Sequence, residues 1–190
     1  MKITTQSFAF AALVLFGCGA PGDDAAGADL DGTWETVCYM RAKTRIAYND
    51  LALTGTYTEY ADDACTTAYH VSTWTGVATV GEALSSGARK LDLSFESFKS
   101  TALTAENAVF NNMNAYCGFT DWEANVEKDV LGADCYGFAI PVGGESLDIY
   151  VVEGDTLKFG QGAKIGAELT EADRPTVIDE TRVFTSVEGA

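Results

Sequence analysis

Apolar and polar residues alternate with a period of two along much of this chain. At residues 34–41, Trp34, Thr36, Cys38 and Met40 fall on one face and Glu35, Val37, Tyr39 and Arg41 on the other. Successive side chains of a strand point to opposite faces, so this alternation predicts a β-strand. After a polar connection, a second strand is expected over 51–62, with Leu51, Leu53, Gly55 and Tyr57 on one face and mostly threonine on the other. Residues 66–80 are rich in threonine, valine and aromatics, and Gly76 within them marks a bend or bulge. The cleanest alternation lies at 89–99, where Leu91, Leu93 and Phe95 oppose Asp92, Ser94 and Glu96.

The period then changes. Ala105, Ala108, Val109, Met113 and Tyr116 recur at helical spacing behind Thr104, an N-cap residue type, with Glu106 in the first turn. A short helix over 105–115 follows from this. Residues 121–132 fit either a short helix on Trp122, Val126 and Val130 or an ordered loop. Strand signals resume at 135–142, with Pro141 near the end where it does least harm. A hairpin of 146–153 and 156–160 turns at Gly154-Asp155, and its expected inner face is Leu147, Ile149, Val151, Leu157 and Phe159. A glycine-rich loop over 160–173 is broken by Arg174-Pro175, and 176–187 supplies a last strand. Eight strand signals with short links, one or two short helices and no βαβ alternation describe an all-β antiparallel barrel or sandwich. Closure into a barrel would remove the exposed edges that pair with other chains.

The N-terminus sets a location. Met1-Lys2 precedes an apolar run at residues 8–17, shorter than the ~20 residues a spanning helix needs, so residues 1–17 have the form of a secretory signal peptide. Leu15-Phe16-Gly17-Cys18 resembles a bacterial lipobox, in which Cys18 becomes the acylated first residue. Gly19 in place of aspartate would favour the outer membrane in a host with two membranes. Residues 18–30 are small and acidic and fit a flexible tether between that lipid anchor and a single domain over 31–190.

Charge and cysteine usage narrow the picture further. With 28 acidic against 12 basic side chains and a net charge of −16, the chain repels phosphate backbones and anionic headgroups. Nucleic-acid binding is therefore not expected, and membrane contact is expected only through the lipid. Besides Cys18 the chain has Cys38, Cys65, Cys117 and Cys135, widely spaced and without a C-x-x-C pair. In an exported protein this pattern means two disulfides rather than a metal or redox site. Three connectivities can be drawn. Cys38 with Cys65 and Cys117 with Cys135 is favoured because each bond staples a local unit, although in a simple two-stranded hairpin Cys38 and Cys65 need not share an end.

Candidate chemistry is sparse. Asp29-Leu30-Asp31-Gly32 lacks the spacing and the distal glutamate of a calcium loop, so no metal is assigned. His70 is the only imidazole, there is no G-x-S-x-G elbow, and glycine-rich phosphate fingerprints are missing. Neither a cofactor nor an enzymatic activity is expected.

Gly32-Thr33-Trp34 at the head of an eight-stranded antiparallel domain resembles the opening of lipocalin-like (calycin) barrels. With Cys38 and Tyr60-Ala61-Asp62-Asp63-Ala64-Cys65 it also resembles the domain of the adenomatosis-polyposis-coli down-regulated family, over the first third of the chain beyond Cys18. Asn114-Ala115-Tyr116-Cys117-Gly118, Asp121-Trp122, Leu157-Lys158-Phe159-Gly160 and Arg174-Pro175-Thr176 resemble bacterial lipocalin-like lipoproteins. The resemblance implies an up-and-down barrel that holds an apolar ligand at its open end. It also implies that Trp34 packs across the closed end beneath an arginine of the last strand, Arg182, with Arg174 as a competitor; Gly32, Trp34 and Arg182 would then be structural anchors.

The side chains expected to face such an interior are Tyr57, Trp74, Leu93, Phe95, Ile149 and Val151. They would either surround a small apolar ligand or simply fill the core. The first alternative makes the protein an envelope lipoprotein that binds or carries a hydrophobic molecule. The second makes it a surface lipoprotein whose acidic loops meet another envelope protein.

Overall fold

The computed structural model describes residues 27–187. The signal peptide assigned to residues 1–17, Cys18 and the tether up to residue 26 lie outside the described residues, as do 188–190. The described strands are β1 (Gly32–Thr36), β2 (Ala42–Asn49), β3 (Ala52–Tyr60), β4 (Ala68–Ala83), β5 (Arg89–Ala102), β6 (Glu127–Asp129), β7 (Glu145–Glu153), β8 (Thr156–Gly160), β9 (Ile165–Gly166) and β10 (Ile178–Ser186). Helix α1 (Ala105–Met113) follows β5.

Eight of these strands close an antiparallel barrel in the order β1-β2-β3-β4-β5-β7-β8-β10. The ring is completed where β10 returns to β1, with Trp34 opposite Ser186. This is an up-and-down arrangement, because each barrel strand lies beside its predecessor. The long β5 forks: Arg89–Ser94 pairs with β7, while Lys99–Thr101 pairs with the short β6. Gly76 marks a register shift in the β4–β5 ladder, and a Cβ there would run into the Ser94 carbonyl, so a bulge at this point requires glycine.

Three expectations from periodicity need correction. The alternation at 34–41 is not one strand: β1 stops at Thr36, and Met40 and Arg41 adopt left-handed φ values of 49° and 62° in a hairpin turn. The polar connection that follows is β2, which buries Thr44, Ile46 and Tyr48 and directs Arg45 and Asn49 outward. Residues 135–142 form no strand. Tyr136 and Gly137 both have positive φ, and the Asp134 carboxylate accepts the Gly137 N–H at 2.6 Å, which fixes a turn where extended backbone was expected.

The missed strand β2 resolves the disulfides. With β2 running down and β3 running back up, the β1–β2 and β3–β4 loops share one end of the barrel, and Cys38 bonds Cys65 there. Cys117 bonds Cys135, joining a turn after α1 to the irregular segment before β7.

The opposite end is closed. Residues 27–30, assigned above to the tether, belong to the domain: Leu30 is fully buried and its N–H donates to the Gly27 carbonyl at 2.9 Å. Trp34 Nε1 donates to the Leu30 carbonyl at 2.8 Å, and the Tyr150 hydroxyl donates to Asp29 at 2.9 Å. Gly32, with φ of +129°, supplies backbone geometry that other residues rarely adopt as the chain enters β1. Burying Leu30 and Trp34 at this end removes several kcal/mol worth of apolar surface from water, at ~25 cal/mol per Å².

Candidate ligand cavity

Above this closed end the barrel encloses a cavity of about 730 Å³, within the range typical of small-molecule sites, ~300–1,000 Å³. Ile46, Leu53, Trp74, Leu93, Phe95 and Phe98 line it from β2 to β5, and Phe159 and Phe184 from β8 and β10. Tyr57, Glu59, Tyr69, Asp179 and Arg182 contribute from the ends of strands toward the end away from Trp34. Phe110 of α1, with Tyr136 and Phe138 of the irregular segment, also borders it.

Four of the six residues expected to face the interior do so: Tyr57, Trp74, Leu93 and Phe95. Ile149 and Val151 do not. The parity of β7 is opposite to the one expected, so Ser146, Asp148, Tyr150 and Val152 face inward while Leu147, Ile149 and Val151 face out. Arg174 crosses that outer face, where its Nη1 donates to the Asp148 carbonyl at 2.7 Å and its Nη2 pairs with Asp92 at 2.7 Å. Ile149 is thus buried on the outside of the barrel, flanked by the half-buried Leu147 and Val151, while Ser146 and Asp148 turn to its interior.

Arg182 also departs from expectation. It lies over the ring of Phe184, 5.5 Å from the centroid, and borders the cavity instead of covering Trp34. Arg174 does not cover Trp34 either, being committed to β5 and β7.

A polar network fastens α1 to the barrel wall. His70 is 2% exposed; its Nδ1 lies 3.0 Å from Asn107 Oδ1 and its Nε2 2.7 Å from Ser100 Oγ. Because the amide oxygen only accepts, Nδ1 carries a proton, and Nε2 shares the second hydrogen bond with the serine hydroxyl. Ser100, His70 and Asn107 follow the order of nucleophile, base and orienting group. Ser100 is 1% exposed and does not itself border the cavity, whereas His70 and Asn107 do.

Helix α1 inverts its expected polarity. Thr104 caps it as predicted, accepting the Asn107 N–H at 3.1 Å, but Asn107, Ala108 and Asn111 are buried while Val109, Phe110 and Met113 are exposed. Asn112 holds the next segment with a two-point clamp: its Oδ1 accepts the Trp122 N–H at 2.5 Å and its Nδ2 donates to the Trp122 carbonyl at 2.9 Å. Tyr116 stacks edge-on against both His70 and Tyr136, with centroids 5.3 Å away in each case.

The interior keeps a polar pole that periodicity did not reveal. Asp148 is 6% exposed, and its Oδ1 accepts the N–H groups of Ile149 at 2.7 Å and Gly160 at 2.9 Å. Burial pushes its carboxyl up to about 6, against the two N–H donors and the charges of Arg174 and Arg182, which pull it down. The Tyr48 hydroxyl and Asn111 Nδ2, both buried in residues that line the cavity, have no hydrogen-bond partner among the described residues. Ser146 and Asp148 alternate with apolar neighbours as a solvent-facing row would, so nothing in the spacing marks them as interior. Among the described residues no cluster of three or more metal-ligating side chains occurs. No protein-family model matches this chain, and no curated protein matches it.

Proposed function

We propose that this protein binds or carries a small, largely apolar ligand inside its barrel, and that it does so at the cell envelope, held there by a lipid on Cys18. The observation that carries this reading is the cavity of about 730 Å³, walled by Trp74, Phe95, Phe98, Phe159 and Phe184. A protein whose only task was to present acidic loops to a partner would have no use for a cavity of this size, because side chains packed into that space would gain dispersion contacts. The two disulfides fit an oxidising, exported location. The resemblance of Gly32-Thr33-Trp34 to the opening of lipocalin-like barrels, and of segments such as Asn114-Ala115-Tyr116-Cys117-Gly118 to bacterial lipocalin-like lipoproteins, favours the same function. The test is organic extraction and mass spectrometry of protein purified from its native host, which should recover a stoichiometric lipid-like molecule. Recovery of none, together with failure to bind any apolar fluorescent probe, would refute the carrier reading. Cys18→Ala should release the protein from membranes; retention would refute the anchor.

A further inference from the structure

The cavity is not uniformly apolar: Glu59, His70, Asn111 and Asp179 are polar lining toward the open end, and Tyr48 and Asp148 form a separate polar pair toward the closed end. Tyr48 precedes the β2–β3 turn beside the closed end, opposite Leu53, and is 3% exposed with its hydroxyl unpartnered among the described residues. Asp148 borders the same cavity from β7, opposite Leu91. Its Oδ1 is taken by two backbone N–H groups, whereas its second oxygen has no partner among the described residues. The nearby guanidinium groups leave that oxygen free. Arg174 binds the Asp148 carbonyl and the Asp92 carboxylate outside the sheet, and Arg182 lies over Phe184.

Buried polar atoms are nearly always satisfied, so the unpartnered Tyr48 hydroxyl, with Asp148 facing it across the barrel, indicates a missing partner. We infer that Tyr48 and Asp148 together receive a hydrogen-bond donor on an otherwise apolar ligand, namely the hydroxyl of a long-chain alcohol or the ammonium of a long-chain amine. This rests on the cavity-binding reading above and adds the chemistry of the ligand's polar end. An ionised carboxylate only accepts hydrogen bonds, and the tyrosine hydroxyl has lone pairs to accept a second, so the pair selects a donor. A ligand carboxylate directed into this pole would meet Asp148 as a like charge, and the net charge of −16 opposes anions at longer range. Leu53, Trp74, Leu93 and Phe95 would contact the ligand's hydrocarbon body.

Titration calorimetry on the full chain with 1-decanol, decylamine, decyl methyl ether and decanoate tests this directly. The alcohol and the amine should bind at least tenfold tighter than the ether, and decanoate no tighter than the ether. Asp148→Asn keeps an oxygen for the two backbone N–H groups, and Tyr48→Phe removes a single atom. Both variants should hold the ether unchanged while the donor preference falls below threefold; the unchanged ether affinity shows that the variant barrel is intact. Equal binding of ether and alcohol by the native chain, tightest binding by decanoate, or a donor preference untouched in both variants overturns the inference while leaving cavity binding in place. Should no probe bind, the ether included, the cavity-binding reading fails and this inference with it.

Discussion

Asn107 Oδ1 lies 3.0 Å from His70 Nδ1, and through this contact the helix that follows β5 is tied to the buried face of β4. Asn107→Ala would leave the imidazole N–H buried without an acceptor, which costs about 1–3 kcal/mol. Urea unfolding should show that loss, and amide hydrogen exchange should quicken in α1. Val109→Ser, on the exposed side of the same helix, should change stability by no more than about 0.5 kcal/mol.

The two disulfides close loops with sequence separations of 27 and 18. In the chain-entropy model each is worth about 3 kcal/mol. The double variants Cys38→Ala/Cys65→Ala and Cys117→Ala/Cys135→Ala should each lower the urea midpoint correspondingly. Peptide mapping without reductant should recover these two pairs; a peptide joining Cys38 to Cys135 would contradict the arrangement.

Asp148 makes stability depend on pH with a definite sign. Its carboxyl is raised from 3.8 to about 6 in the folded chain, so between these values the folded state holds a proton that the unfolded state has lost. The stability this group contributes is complete below pH 3.8 and lost as the pH rises through about 6. The difference is on the order of 3 kcal/mol. Subtracting the pH–stability curve of Asp148→Asn from that of the native chain should isolate this fall. A flat difference between pH 4 and 7 would show that the carboxylate is solvated in the cavity.

Gly55 lies where the Trp74 indole crosses β3, and a Cβ at this position would fall inside the indole itself. Gly55→Ala should push Trp74 from its rotamer into the cavity at a cost of about 1–3 kcal/mol. A change in tryptophan fluorescence and weaker apolar probe binding, alongside a lowered melting temperature, are the expected readouts.

Much of the barrel is visible in the alternation of residues, and its failures cluster around the cavity. The number of strands expected equals the number that close the barrel, yet two of the identities differ. β2 is missed because Lys43, Arg45 and Asn49 make it resemble a polar link, although Thr44, Ile46 and Tyr48 do alternate inward. Residues 135–142 imitate a strand because Phe138 and Ile140 are apolar, but they are apolar because they border the cavity from an irregular segment.

The parity of β7 and the polarity of α1 fail for one reason. Hydrophobic periodicity assumes that the apolar face points to the core, and here Ser146, Asp148, Asn107 and Asn111 face the interior while Ile149 is buried outside. Local rules of this kind tend to break where a protein's interior does something other than fill itself. Trp34, Thr104, Gly76 and the hairpin turn at Gly154-Asp155 follow the ordinary rules, and each was legible from its immediate neighbours.

The turn at residues 27–30 sets the orientation of the whole molecule. Gly27 packs against Leu51 and Val80, and at the other terminus Val187 N–H donates to the Thr33 carbonyl at 2.8 Å. Both ends of the described chain therefore emerge at the same pole, the one sealed by Leu30 and Trp34. Whatever holds the protein by either terminus, whether a surface, a bead or a fused domain, holds it by its base, and the rim formed by Tyr57, Phe110 and Tyr136 looks out toward the surroundings.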